Sequence, residues 1–267
     1  MSWKSIICGL LLAHAAALAQ PTWQGDLTAP NLGPHPAIPP CALEFQVSWK
    51  GLINSGSLKM EFAPPDARKP RDYVVRASGR SLGAAAGFFP YQCDFWSELA
   101  PTTLRPRYFH ATERDQKECV TTTVRYRPNR VEIREISILT ATKKTSRIDQ
   151  IFKFAPVFDI FSAMLHVRSQ TLHVGEKITL VICPFKTPHL LRITVLAHEV
   201  HNGRPAIRLN VGLQKIKITT LELKPYKKLK KDATLWLSND LDRIPIEFRA
   251  AVFIGDVRAT LSQHHKF

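Results

Sequence analysis

The chain has 267 residues, with 37 Lys and Arg against 22 Asp and Glu, for a formal charge of +15. Hydrophobic residues make up 45% of it and charged residues 22%. That balance excludes a disordered chain and a collagen-like repeat, and the length allows a well-buried core.

Taken in chain order, residues 1–19 read as an export signal. Lys4 is the only charge, residues 6–18 are apolar, and Ala17-Leu18-Ala19 supplies the small-x-small pattern of a cleavage site. No later apolar run is long enough to cross a bilayer as a helix. The expectation is a cleaved leader, a mature start at Gln20, no transmembrane span after cleavage, and a periplasmic or secreted protein. Cleavage removes Lys4 and leaves 36 basic against 22 acidic residues, a charge of +14. It also removes Cys8 and leaves Cys41, Cys93, Cys119 and Cys183. These either form up to two disulfides, in one of three connectivities, or stay as buried thiols. No Cys-x-x-Cys spacing occurs, which argues against a zinc site or a redox pair.

Residues 20–40 carry Pro21, Pro30, Pro34, Pro36, Pro39 and Pro40. Such a stretch favours extended polyproline geometry and reads as a linker or arm that packs no core. A single exported β-rich domain is expected over 41–263, followed by a short tail over 264–267.

From Cys41 onward the dominant period is two. Leu43, Phe45, Val47 and Trp49 alternate with Glu44, Gln46, Ser48 and Lys50. A turn is expected at Gly51, Asn54, Ser55 and Gly56, and Leu58, Met60 and Phe62 then alternate with Lys59 and Glu61. The same pattern recurs over 120–126 and 131–134, over 178–182, 191–197 and 207–211, and over 244–252 and 257–261. Helical signals are few. Residues 81–89 allow a short helix weakened by Gly83 and Gly87. Asp159 is placed to cap a helix over 160–168 with an apolar stripe of Ile160, Phe161, Met164 and Leu165. The expected fold is mainly β: a curved antiparallel sheet or half-open β-barrel, with one or two short helices against its concave face.

Chemistry-bearing motifs are sparse. His198-Glu199-Val200-His201 has its histidines three apart on a strand, on opposite faces, where a helical zinc site needs them four apart. His264-His265 lies at a terminus that usually frays. There is no nucleophile elbow, phosphate loop or dinucleotide fingerprint, so no catalytic residue, metal or cofactor is assigned. Lys224, Lys227, Lys228, Lys230 and Lys231 form the strongest charge feature. They read either as a contact for an anionic envelope polymer or headgroup, or as a solvated loop. Nucleic acid is disfavoured by export and by the lack of an interleaved aromatic platform.

The last third of the chain carries the most specific pattern. Thr234-Leu235-Trp236-Leu237-Ser238-Asn239-Asp240 runs into Arg243-Ile244-Pro245-Ile246 and then Phe253-Ile254-Gly255-Asp256-Val257-Arg258-Ala259-Thr260-Leu261. This resembles the closing hairpin of the bacterial exported domain-of-unknown-function family 3108. Phe45 to Gly56, Asp159-Ile160-Phe161-Ser162-Ala163 with Arg168, and Leu172 to Gly175 agree with it, so the resemblance spans about residues 42–261. It implies a half-barrel similar to envelope lipoprotein carriers, with an apolar hollow and no established activity.

Two functions follow as expectations. The first is a non-enzymatic binder or carrier of a lipid, lipidated or other amphipathic envelope component. Phe45, Trp49, Met164, Trp236 and Phe248 would line its pocket and Arg168 would meet a headgroup, although each apolar residue also fits plain core packing. The second is an envelope enzyme or scaffold acting on an anionic polymer such as peptidoglycan, with Asp240 and Asp242 as the acids.

Overall fold

The computed structural model describes residues 21–35, 37–63, 72–252 and 255–267. The expected leader, Pro36 and the Phe253-Ile254 pair lie outside the described residues.

Alternating apolar and polar side chains produce fifteen strands in one antiparallel sheet. The first eight are β1 (Cys41–Trp49), β2 (Ile53–Phe62), β3 (Tyr73–Ser81), β4 (Gln92–Leu99), β5 (Pro106–Arg114), β6 (Glu118–Tyr126), β7 (Val131–Leu139) and β8 (Thr145–Phe152). The others are β9 (Lys177–Ile182), β10 (His189–His201), β11 (Arg204–Ile216), β12 (Leu223–Pro225), β13 (Ala233–Ser238), β14 (Pro245–Val252) and β15 (Gly255–Lys266). Their spatial order is β8-β7-β6-β5-β4-β3-β2-β1-β15-β14-β13-β11-β10-β9, with β12 paired to β11. The chain's last strand thus closes on its first, and the sheet stays open between β8 and β9.

One face of this sheet is mostly apolar, with Ser97, Thr122 and Glu135 as buried polar exceptions. In β1 to β8 it carries Leu43, Phe45, Met60, Phe62, Val75, Phe109, Val124, Ile133 and Phe152; in β9 to β13 it carries Ile178, Leu180, Ile193, Ile207, Leu209 and Leu237. Helix α2 (Ile160–Ser169) lies between the two sets. Phe161 and Leu165 pack into the first, Ala163 and Val167 into the second.

Asp159 starts α2 as the sequence predicts. Its Oδ1 accepts the Ser162 amide at 2.7 Å, and Ser162 Oγ accepts the Asp159 amide at 2.8 Å. Ser97 Oγ donates to the other oxygen at 2.5 Å, tying the cap to β4. The group is fully buried. Burial raises the Asp159 carboxyl above its usual range, outweighing these hydrogen bonds.

Several expectations change. Asn54, Ser55 and Gly56 lie within β2, and the turn is only 50–52, because a bulge between Val47 and Ser48 absorbs the mismatch. β3, β4, β5 and β8 have no clean alternation in the sequence. The proline-rich segment is not a detached arm. Trp23 and Ile38 are buried in the first core set, the Trp23 indole donates to the Leu221 carbonyl at 3.0 Å, and Tyr73 Oη donates to the Ile38 carbonyl at 2.6 Å. Burying a side chain like Ile38 contributes roughly 1.5–3 kcal/mol. Thr28 exchanges two 2.9 Å hydrogen bonds with Thr179 and so covers the exposed edge of β9. A side chain at Gly33 would strike the Ser169 carbonyl at 2.2 Å, so glycine is required there.

The tail does not fray either. His264 and His265 continue β15 opposite Leu43 and Ala42, and the Phe267 amide donates to the Pro40 carbonyl at 3.0 Å. Cys41, Cys93, Cys119 and Cys183 are all free thiols, on β1, β4, β6 and the connection after β9, so none of the three disulfide connectivities is realised. Burial pushes Cys41 and Cys93 up to about 11.

Candidate functional site

The apolar face is the first place to look for a ligand, and its own side chains occupy it. Phe185, from the connection between β9 and β10, inserts against Phe95 and Phe109 with ring centroids 5.9 and 6.0 Å apart. Phe161 of α2 meets Phe109 at 6.2 Å, and Phe154 lies between Trp23 and Phe152. Tyr126 Oη donates to the Cys183 carbonyl at 2.6 Å, and Lys186 pairs with the nearly buried Glu135 at 2.7 Å. These bonds pin the connection that plugs the concavity.

The residues expected to form a pocket scatter accordingly. Phe45 and Met164 share the first core set. Trp49 lies at the end of β1, where Gly255 (φ +124°) leaves room for its indole; a side chain there would approach Trp49 Nε1 to 2.5 Å. The Lys50 ammonium sits 4.8 Å from the same ring. Phe248 is 38% exposed. Arg168 is fully buried and faces no ligand space: its Nη2 and Nε donate to the Asp242 carbonyl at 2.8 and 3.1 Å. That placement corrects the headgroup role.

Asp240, offered as a catalytic acid, holds a loop instead. Its Oδ1 accepts Ser238 Oγ at 2.8 Å and the Arg243 amide at 2.9 Å, while Ser238 Oγ accepts the Ile244 amide at 3.0 Å. Asp242 Oδ2 is 3.2 Å from Lys266 Nζ. Among the described residues no group of three or more His, Cys, Asp or Glu side chains is arranged to hold a metal ion.

Apart from a groove of about 490 Å³ between Pro21, Leu27 and Phe154, the open space lies on the polar face of the same sheet. Three grooves follow one another across it. The first, about 320 Å³, is lined by Gln46, Ser48, Glu247, Arg249, Arg258 and Thr260, with Asn202 above. The second, about 560 Å³, shares Gln46 and Asn54 with it and adds Glu44, Arg80 and Gln92. The third, about 430 Å³, shares Lys59, Ser78 and Asp94 with the second and adds Arg76, Trp96 and His110. Alternation puts these side chains on the face opposite Phe45 and Met60.

One end of this surface is rigidly built. Glu247 is almost wholly buried; its Oε2 accepts Asn202 Nδ2 at 2.9 Å and meets His201 Nε2 at 2.7 Å, and its Oε1 accepts from Arg249 Nε. Burial alone would raise its pKa, but the hydrogen bonds from Arg249, His201 and Asn202 prevail and hold the carboxylate below the usual range. Trp236 stacks on His201 at 4.2 Å and donates its indole N–H to Glu199 Oε1 at 2.8 Å. Every partner here is another protein group, so the cluster braces the β10–β11 hairpin over the groove. His198, on the other face, meets the Leu172 carbonyl at 2.8 Å.

At the far end Trp96 is gripped between the Arg76 guanidinium, 4.8 Å from its ring, and Glu98 Oε1, which accepts the indole N–H at 3.0 Å. Tyr108 and His110 stack beside it at 6.4 Å. Carboxylates, amides, guanidinia and an indole thus alternate along one open track. The sequence signal for it is the hydrophilic half of the strand alternation: Glu44, Gln46, Lys59 and Glu61.

Lys224 lies in β12, and Lys227, Lys228, Lys230 and Lys231 lie in the exposed connection to β13. Leu229 bridges to Val252 and the Lys230 amide donates to the Ala251 carbonyl at 2.8 Å, so this loop is fastened to β14.

Among solved structures, a β-barrel-like protein of domain of unknown function DUF1849 from Brucella abortus superposes with a TM-score of 0.53 at 8% identity, covering 86% of this chain and 99% of that one. A putative exported protein with a YmcC-like fold from Bacteroides fragilis gives a TM-score of 0.36 at 6% identity over 88% and 100% of the two chains. No curated protein sequence matches. No helix among the described residues is long and apolar enough to cross a membrane. The family model for proteins of unknown function DUF3108 matches residues 44–262, from β1 to β15, and the chain belongs to that family.

Proposed function

We propose that this is a non-enzymatic binding protein of the cell envelope, which takes an amphipathic envelope component by its polar portion. The observation that carries the reading is the contrast between the two faces of the sheet. Phe161, Phe185 and the residues around them occupy the apolar concavity, whereas the polar face opens into three connected grooves. A hydroxyl-rich chain, such as the saccharide of a glycolipid or of a wall polymer, suits a track of alternating carboxylates, amides and guanidinia with an indole at one end. The leader-like segment over 1–19 supports a place outside the cytoplasm. The use found for Asp240, the acid offered for catalysis, supports binding over catalysis, since it is spent on the Ser238 hydroxyl and the Arg243 amide.

The test is calorimetric titration with a soluble, deacylated lipopolysaccharide saccharide and with acyl-free peptidoglycan fragments. One of them should bind saturably, with affinity reduced about tenfold by Trp96→Ala, the loss of one well-placed aromatic contact. Failure of both to bind, or binding that Trp96→Ala and Asp94→Ala leave intact, would refute the groove.

A further inference from the structure

Strict antiparallel alternation sends six of the described connections to one end of the sheet: 50–52, 82–91, 115–117, 140–144, 183–188 and 217–232. Those segments contain eleven lysines and three acidic residues. The described connections at the opposite end, which are residues 63 and 72 with 100–105, 127–130, 153–159, 170–176, 202–203 and 239–244, carry five basic and five acidic residues. More than half of the net charge is therefore concentrated at one pole. Lys143, Lys144, Lys227, Lys228, Lys230 and Lys231 are exposed there, and among the described residues no acidic side chain pairs with them.

The same pole displays apolar side chains that the protein does not cover. Residues 82–91 contain no charge, and helix α1 (Gly83–Phe88) within them buries none of its residues. Phe88 is 74% exposed and Phe89 64%. Beside them stands the β1–β2 turn, with Leu52 86% exposed; the Leu82 amide donates to the Ser55 carbonyl at 3.0 Å and holds the two segments together. A short helix with no buried residue gains nothing from the protein core, and two adjacent exposed phenylalanines carry a standing hydration cost in water. Apolar tips among lysines match the layered chemistry of a bilayer surface, where acyl chains lie just beneath anionic headgroups.

We propose that this pole docks on an anionic lipid surface, with Leu52, Phe88 and Phe89 inserted at the headgroup boundary and the lysines on the phosphates. Leu52 also lines the first groove and Leu82 the second, so the docked pole meets that end of the polar track; the third groove, with Trp96, contains none of the docking residues, and the Trp96→Ala variant therefore separates this inference from the proposed groove function.

The test is co-sedimentation of the full chain with phosphatidylethanolamine vesicles made with and without phosphatidylglycerol. Binding is expected only with phosphatidylglycerol and should weaken in high salt. Exchanging Lys227, Lys228, Lys230 and Lys231 for Gln should weaken it by at least about tenfold. Phe88→Ser with Phe89→Ser should weaken it by about tenfold. Both sets of side chains are exposed, so circular dichroism should show unchanged folding, and Trp96→Ala should leave vesicle binding intact. Equal binding to uncharged vesicles, no binding to either, or binding indifferent to the Ser exchanges would overturn the proposal. So would preferential capture of a soluble polyanion that depends on the lysines alone, which would identify a polymer site.

Discussion

Arg243 holds the backbone carbonyl of Arg168 at 3.2 Å, and Arg168, on α2, in turn holds that of Asp242, the residue before Arg243. Arg243 also reaches the carbonyls of Gln170 and, at 3.0 Å, Thr171. The two side chains clasp the C-terminal end of the plugging helix to the loop that closes the sheet. Both belong to blocks that carry the family pattern, so the pattern marks a structural fastening.

Breaking that clasp should destabilise the whole chain. Both guanidinia are buried and each donates to two or more backbone carbonyls, so losing one costs about 3 kcal/mol. Urea unfolding of Arg168→Ala, Arg243→Ala and the double variant should show losses of that size. The double loss should fall short of the sum by about 1 kcal/mol, because one fastening is removed twice. Full additivity would mean that the arginines act separately. Lys should rescue little at either site, since it lacks the planar fork.

A second prediction concerns acid. His166 is almost wholly buried beside Phe158, at 5.1 Å, and neither ring nitrogen has a partner among the described residues. Burial first, then the charge of Arg105, pushes its pKa down to about 4, from 6.5 in the free side chain. The unfolded chain therefore takes up a proton below about pH 6.5 that the native state refuses until near pH 4. This contribution to stability is complete above about pH 6.5 and is lost as the pH falls towards 4, at up to about 1.4 kcal/mol per pH unit. His189, also pushed to about 4 by burial and then by Lys215, acts in the same direction. Urea melts across this range should show a shallower acid decline for His166→Leu than for the parent chain. An unchanged slope would place the titrating group elsewhere.

Much of the sheet was legible because its strands present one face to a core. Leu43 to Trp49, Val120 to Tyr126 and Ile244 to Val252 alternate cleanly, and each is a strand. Asp159 was legible as a cap because short acceptors before an apolar stripe have few other uses. Tyr73 to Ser81 and Thr145 to Phe152 were not. β3 packs small residues such as Ala77 and Gly79, and β8 is an edge strand whose outward Arg147 and Asp149 and inward Gln150 hide its period. The candidate site was harder still. Phe45 and Met164 looked like pocket residues because an apolar position reads the same whether a ligand or a helix covers it. Only the position of Phe161 and Phe185 separates the two cases. The proline-rich segment misled for a related reason: Trp23 and Ile38 are too far apart to show a period, yet each fills a gap at the edge of the sheet.

The account rests on the apolar face being filled by α2, Phe185 and their neighbours. Titration of the purified protein with a fluorescent long-chain fatty acid tests this directly. The expected result is no saturable binding, because Phe161, Phe185 and their neighbours pack against one another where an acyl chain would lie. One probe bound per chain, displaced by natural fatty acid, would show that the concavity opens and would contradict the account.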